Sequence, residues 1–183
     1  PAKVLYFCER RFMWNSLDRI LVLSNALRRH MIKVGIKNEK IMVITECINL
    51  DDFKNANSYG DNIINHGFFH EYKKSETIIN AIPIVLKNYP KQKFIFAGDG
   101  PELNKLKEIA KELKIEKNVE FTGWLNFKDL IERIKEGKIG ITCRSKGMAN
   151  DFVVTSGLLQ DMASGLAVLA PDTEATKDFI NEN

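Results

Sequence analysis

Lys93-Phe-Ile-Phe-Ala-Gly-Asp-Gly-Pro101 is the stretch that decides the fold. An apolar run too short for a helix stops at Gly98 and Gly100, and Pro101 and Glu102 then open a charged amphipathic segment. The same order returns at Val119-Glu-Phe-Thr-Gly-Trp124 and at Met162-Ala-Ser-Gly-Leu-Ala-Val-Leu-Ala-Pro171. Short buried strands alternating with amphipathic helices predict an α/β fold, a Rossmann-like parallel sheet flanked by helices. A sheet of this kind takes its ligand at the carboxyl ends of its strands, where these glycines stand.

Outward from that stretch the alternation continues. Residues 20–24, 41–44, 63–67, 94–97, 119–122, 139–142 and 167–169 read as strands. Residues 25–33, 75–88, 101–113, 127–135 and 155–164 read as helices. In the first of these Leu27 and Met31 point inward, Arg28, Arg29 and Lys33 point outward, and Gly35 ends the helix. Ser75 reads as an N-cap, and Pro83 predicts a kink or a late start. The polar run 49–60 reads as a linker. The chain opens with a strand-like Pro1-Ala-Lys-Val-Leu-Tyr-Phe-Cys8 and stops within a helix-like 178–183, so it reads as a portion of a longer protein.

Bulk properties exclude several classes. The 183 residues, 44% hydrophobic, suffice for about one well-packed domain. A net charge of +3 is too small to argue for a nucleic-acid partner. Cys8, Cys47 and Cys143 are odd in number and lack metal-ligand spacing, so they read as reduced thiols of a cytosolic protein. No apolar run is long enough to span a bilayer, which leaves peripheral membrane contact open.

Three motifs carry chemistry. Gly98-Asp-Gly-Pro101 would let backbone approach a ligand closely, although glycines also simply make strand-to-helix turns. It is not the dinucleotide fingerprint, because the third glycine position is Leu103. Thr155-Ser156-Gly157 opens a helix whose free amides would hold a phosphate; the plainer reading is N-capping by Thr155. Lys73, in the loop after the strand ending at Gly67, could neutralise a leaving diphosphate, although Lys74 beside it dilutes the signal. His66 and His70 have no evident third ligand, and the adjacent Asp51 and Asp52 do not form the acid–any–acid triplet of metal-bound nucleotide sugars, so no metal is expected. Cys143, at a strand end, reads as a buried structural thiol.

In order and spacing these pieces resemble the carboxyl-terminal, donor-binding half of the GT-B glycosyltransferases of group 1 (family 4). The resemblance is carried by Asp18-Arg-Ile-Leu-Val-Leu-Ser24, Lys33-Val-Gly-Ile36, Lys40-Ile-Met-Val-Ile44, Phe96-Ala-Gly-Asp-Gly-Pro-Glu102, Val119-Glu-Phe-Thr-Gly123 and Leu159-Gln-Asp-Met-Ala-Ser-Gly-Leu-Ala-Val168. It implies a nucleotide-sugar-binding domain over residues 18–183, preceded by an inter-domain segment 1–17. By position, Gly98 and Gly100 would border the base pocket with Trp124 at its edge, Thr155, Ser156 and Gly157 would cradle the diphosphate, Lys73 beside Gly67 would stabilise the leaving phosphate, and Gln160 would face the ribose. The implied reaction is retaining, metal-independent transfer from a nucleotide-diphosphate sugar to a glycan or lipid-linked acceptor. The sugar nucleotide is a substrate and no cofactor is expected. The acceptor would sit on an amino-terminal domain mostly missing from this chain.

The chain departs from the family pattern at three charged positions. Gln160 replaces the second of two spaced glutamates, and Phe152 aligns with the first, with Asp151 the nearest acid. Phe68 stands where the family has an arginine, for which Arg144 is the candidate substitute. Cys47 stands at a usual turn glycine. Two readings follow: a divergent glycosyltransferase resting on Lys73, Asp151 and Arg144, or a non-catalytic glycosyltransferase-like accessory subunit. A sugar-nucleotide epimerase would need carboxylates and a histidine in the crevice, which the sequence alone does not place.

Overall fold

The computed structural model describes Trp14, residues 16–54 and residues 60–180. In chain order the elements are β1 (Ile20–Val22), α1 (Asn25–Lys33), β2 (Ile41–Val43), β3 (Asn62–His66), α2 (Ser75–Asn88), β4 (Phe94–Ala97), α3 (Leu103–Glu112), β5 (Val119–Gly123), α4 (Phe127–Lys135), β6 (Gly137–Ile141), α5 (Met148–Asp151), α6 (Ser156–Ala163), β7 (Ala167–Leu169) and α7 (Glu174–Lys177). The chain divides into two compact units.

The larger unit comprises residues 47–145 and 155–171. Its five strands are all parallel, in the order β5-β4-β3-β6-β7. The chain starts at β3, steps outward through β4 to β5, then returns to the other side of β3 for β6 and β7. The gap between β3 and β6 is therefore the topological switch point, where a doubly wound sheet takes its ligand. All four residues of β4 are buried, as a parallel strand covered on both faces requires. Its side chains alternate: Phe94 and Phe96 join Ile78, Ile79, Ile82, Leu103 and Leu106 of α2 and α3 in one cluster. Ile95 and Ala97 pack with Ile64, Leu125 and Leu130 in another cluster.

The smaller unit comprises residues 1–46, 146–154 and 172–183. Here β1 pairs in parallel with β2, from Ile20 against Ile41 to Val22 against Val43. Val22, Met31, Ile36 and Ile41 form its core. Ser24 caps α1, its Oγ accepting from the Leu27 amide at 3.0 Å. The carboxylate of Asp178 accepts from the Ala26 amide at 3.0 Å, placing a negative charge at the positive end of α1.

Helices α1, α2 and α4 and strands β4 and β7 have the bounds the periodicity predicts. Three local expectations are corrected. Ser75 does not cap α2: Lys74 holds the cap position at φ 51°, and Ser75 Oγ turns inward to donate to Asn65 Oδ1 at 3.0 Å. The helix expected from Pro101 begins at Leu103, with Glu102 as its N-cap. The polar run after Asn49 is partly structured: Leu50–Phe53 form a 3-10 turn, and Phe53 is buried against Ile131. Helix α2 runs unbroken through Pro83. The strand expected near Cys8, residues 55–59 and the end of the last expected helix lie outside the described residues.

Candidate functional site

The larger unit gathers its polar chemistry at the carboxyl ends of β3, β4 and β6 and at the start of α6. Gly67 follows β3 and Gly98 follows β4. A side chain on Gly98, at φ +148°, would meet the Gly67 carbonyl oxygen at 1.9 Å; one on Gly100 would meet that of Phe69 at 2.4 Å. The Phe69 amide donates to the Asp99 carbonyl at 2.7 Å, and Gly98 bridges Gly123 at the end of β5. So the room a side chain would need at these glycines is taken by the backbone of the neighbouring loop of the same sheet. Trp124 projects beyond Gly123 and is 75% exposed.

Lys73 ends a 3-10 turn, Glu71–Lys73, between β3 and α2. Its ammonium nitrogen lies 3.9 Å from the point that a side chain on Gly67 would occupy. Arg144 reaches the same turn from the end of β6: its guanidinium lies over the Tyr72 ring, 5.6 Å from the centroid, and the Ser145 amide donates to the Tyr72 carbonyl at 2.8 Å. Beneath them Asn65 Nδ2 donates to the Ile141 carbonyl at 2.8 Å, tying β3 to β6. The structure thus brings Lys73 and Arg144 to one switch point from loops about seventy residues apart.

Thr155 caps α6, its Oγ1 accepting from the Leu158 amide at 3.2 Å. The amides of Ser156 and Gly157 in the first turn have no intrahelical acceptor, as at any helix start. Gly157 faces β3: a side chain there would stand 3.4 Å from His66 Cε1. Gln160, on the same helix, is half-buried. Helix α6 and the Lys73 turn are therefore held against the same strand end.

A fully buried polar contact lies behind that surface. His66 Nε2 and Asp161 Oδ1 are 2.9 Å apart, with side chains 2% and 0% exposed. Gly140 makes the space, since a Cβ there would stand 2.3 Å from Asp161 Oδ2. The sequence reading missed this pair. The signal was Asp161 three residues after the core residue Leu158, on a helix face that otherwise carries apolar side chains.

Asp151 ends α5 in the smaller unit. Beside it Phe152 packs against His30, ring centroids 4.8 Å apart, and its carbonyl accepts from Ser24 Oγ at 2.7 Å. The aromatic ring at a family carboxylate position is thus part of the packing around α1. Phe68, at the family's arginine position, is 58% exposed. Cys143 is half-buried rather than fully buried, and that burial pushes its thiol above the ordinary range. One acid–any–acid triplet does exist, Asp172-Thr173-Glu174, but its carboxylates pair with Lys177 at 2.9 Å and Arg29 at 3.6 Å. Among the described residues no group of three His, Cys, Asp or Glu side chains is placed to hold a metal. None of their helices is long and apolar enough to cross a membrane.

The sequence pattern that defines the glycosyl transferases of group 1 matches residues 50–183, most of the chain, and the chain belongs to that family. Over 112 residues it is 32% identical to the alpha-monoglucosyldiacylglycerol synthase of Streptococcus pneumoniae, a match spanning 60% of this chain and 24% of that protein. In fold it is similar to S. aureus TarM, solved with fondaparinux, alpha-GlcNAc-glycerol and UDP (TM-score 0.76, 19% identity, 100% of this chain and 35% of that one). It is likewise similar to HepE of Anabaena, solved with UDP and glucose (TM-score 0.73, 16% identity, 98% of this chain and 50% of that one). The chain spans half or less of the length of each of these relatives.

Proposed function

We propose that this chain is the donor-binding part of a glycosyltransferase that takes a sugar from a uridine-diphosphate sugar, releasing uridine diphosphate, and passes it to a glycan or lipid-linked acceptor. One observation carries the reading: Lys73, Arg144 and the first turn of α6 converge on the end of β3 at the switch point. Two cations and a helix start are suited to the charge that grows on a leaving diphosphate as the sugar–phosphate bond breaks. In this reading they neutralise the diphosphate without a metal, and departure and attack occur on one face of the sugar, retaining its configuration. Gly98, Gly100 and Trp124 border the base, and Gln160 faces the ribose. The acceptor is held by an amino-terminal domain of the longer protein. The setting is cytosolic, with peripheral membrane contact if the acceptor is a lipid. The choice of uridine and of a glycan or lipid acceptor is supported by what the relatives' names and bound molecules describe.

Calorimetric titration with uridine and guanosine diphosphates, with and without magnesium, tests the donor half. The expected result is metal-independent binding of the uridine nucleotide. Lys73→Ala should weaken it roughly ten- to a hundredfold, the loss of one charge-assisted hydrogen bond. Equal affinity in that variant would remove Lys73 from the site. A second reading, a non-catalytic subunit, is favoured by Phe68 and Phe152 at charged family positions. Nucleotide binding by the full-length protein without transfer to any glycan or lipid acceptor would select it.

A further inference from the structure

We propose that His66 and Asp161 form a positioning pair that sets the first turn of α6 against the end of β3, so that donor affinity depends on two residues that do not touch the donor. The proposal rests on the donor-site reading above and names what holds that site in register.

The geometry is specific. His66 is the last residue of β3, directly before Gly67 and the turn that carries Lys73. Its ring meets α6 twice: Cε1 lies 3.4 Å from the side-chain position of Gly157 in the first turn, and Nε2 lies 2.9 Å from Asp161 one turn later. The imidazole thus spans the first two turns of the helix and fixes both its distance and its rotation. Side chains 2% and 0% exposed are closed off from a ligand in the crevice, so any effect on binding is transmitted through the helix. The pair is also built at a cost. A buried carboxylate needs partners for both oxygens, yet Oδ2 of Asp161 has none among the described residues. Gly140 and Gly157 both forgo side chains beside it. Apolar side chains of similar size would pack this boundary at least as stably, so packing alone does not account for an ion-pair-like contact here. A directional hydrogen bond fixes angle as well as distance, which apolar contact does not. The residues that gain from that precision are Ser156 and Gly157, whose amides must aim at one phosphate position while Lys73 approaches it from β3.

The test measures uridine diphosphate affinity and amide hydrogen exchange in the full-length protein for His66→Leu, His66→Gln, Asp161→Asn and the double variant His66→Leu/Asp161→Leu, below their melting temperatures. His66→Leu keeps volume without the hydrogen bond, and His66→Gln retains a donor near Nε2. The expected result is affinity reduced roughly tenfold in His66→Leu, as for the coupling of residues in direct contact. His66→Gln should bind nearly as the parent does, and the double variant no worse than His66→Leu. Exchange should rise at residues 156–158 in the variants that lose affinity. Parent-like affinity in folded His66→Leu would overturn the proposal while leaving the donor reading intact. Absence of nucleotide binding by the parent protein itself would overturn both, and that arm distinguishes the two failures.

Discussion

Gly140 shows how one missing methyl group makes room for a carboxylate. A Cβ at this position would stand 2.3 Å from Asp161 Oδ2 and 2.8 Å from Asp161 Cβ, and the strand backbone cannot retreat because β6 pairs on both sides. Gly140→Ala is therefore expected to lower stability by about 1–3 kcal/mol, the usual penalty for overpacking. A thermal melt checks it, and the loss should shrink in the combination with Asp161→Ala, which empties the space the new methyl needs. Gly98 is a different case. Its φ of +148° and the 1.9 Å approach to the Gly67 carbonyl both forbid a side chain. Here the obstacle is backbone and no rotamer change relieves it.

Among the elements, α2 and α3 are joined outside the core by Lys105, whose ammonium lies 2.5 Å from Glu76 and 3.5 Å from Glu102. The Lys105 hydrogen bond, with its charge, holds the Glu76 carboxyl below the ordinary carboxylate range. A depressed carboxylate contributes stability above its unfolded pKa, and that contribution is lost as pH falls through the folded value. Glu76→Gln should accordingly lower the melting temperature slightly near about pH 7, and the difference should disappear as pH falls through the depressed folded value of Glu76. The difference should also fall as salt rises, because the pair is exposed. The start of α2 shows an element choosing one partner over another. Ser75 had the residue type of a cap, but an inward hydroxyl satisfies the buried Asn65, whose amide links β3 to β6. A buried amide left without a partner costs more than an uncapped, solvated helix end, so the cap is what gives way.

At the scale of the whole molecule, a ligand that binds only the folded state raises its stability by mass action. Uridine diphosphate at about a hundred times its dissociation constant should add about 2.7 kcal/mol and shift the melting temperature upward. The same concentration should shift Lys73→Ala much less. A melt unmoved by the nucleotide in the full-length protein would count directly against the donor reading.

The sequence by itself determined the architecture. Period-2 and period-3.6 apolar patterns with glycine and proline punctuation located strands such as Phe94–Ala97 and helices such as Phe127–Lys135, because element type follows from which face must be buried. It also supplied the family, since motif order survives where individual residues have changed. Local pattern could not decide the partners. That Gly98 yields its space to Gly67, that Ser75 turns to Asn65, that Arg144 reaches the turn of Lys73, and that Asp161 sits against His66 are contacts that no local periodicity encodes. The first follows from the pairing of β3 with β4 and the second from the fold of the β3–α2 connection, while the last two exist because the return of the chain from β5 to β6 closes the switch point beside β3. Only that crossover, a property of the assembled sheet, sets which polar groups share a site and which are buried behind it.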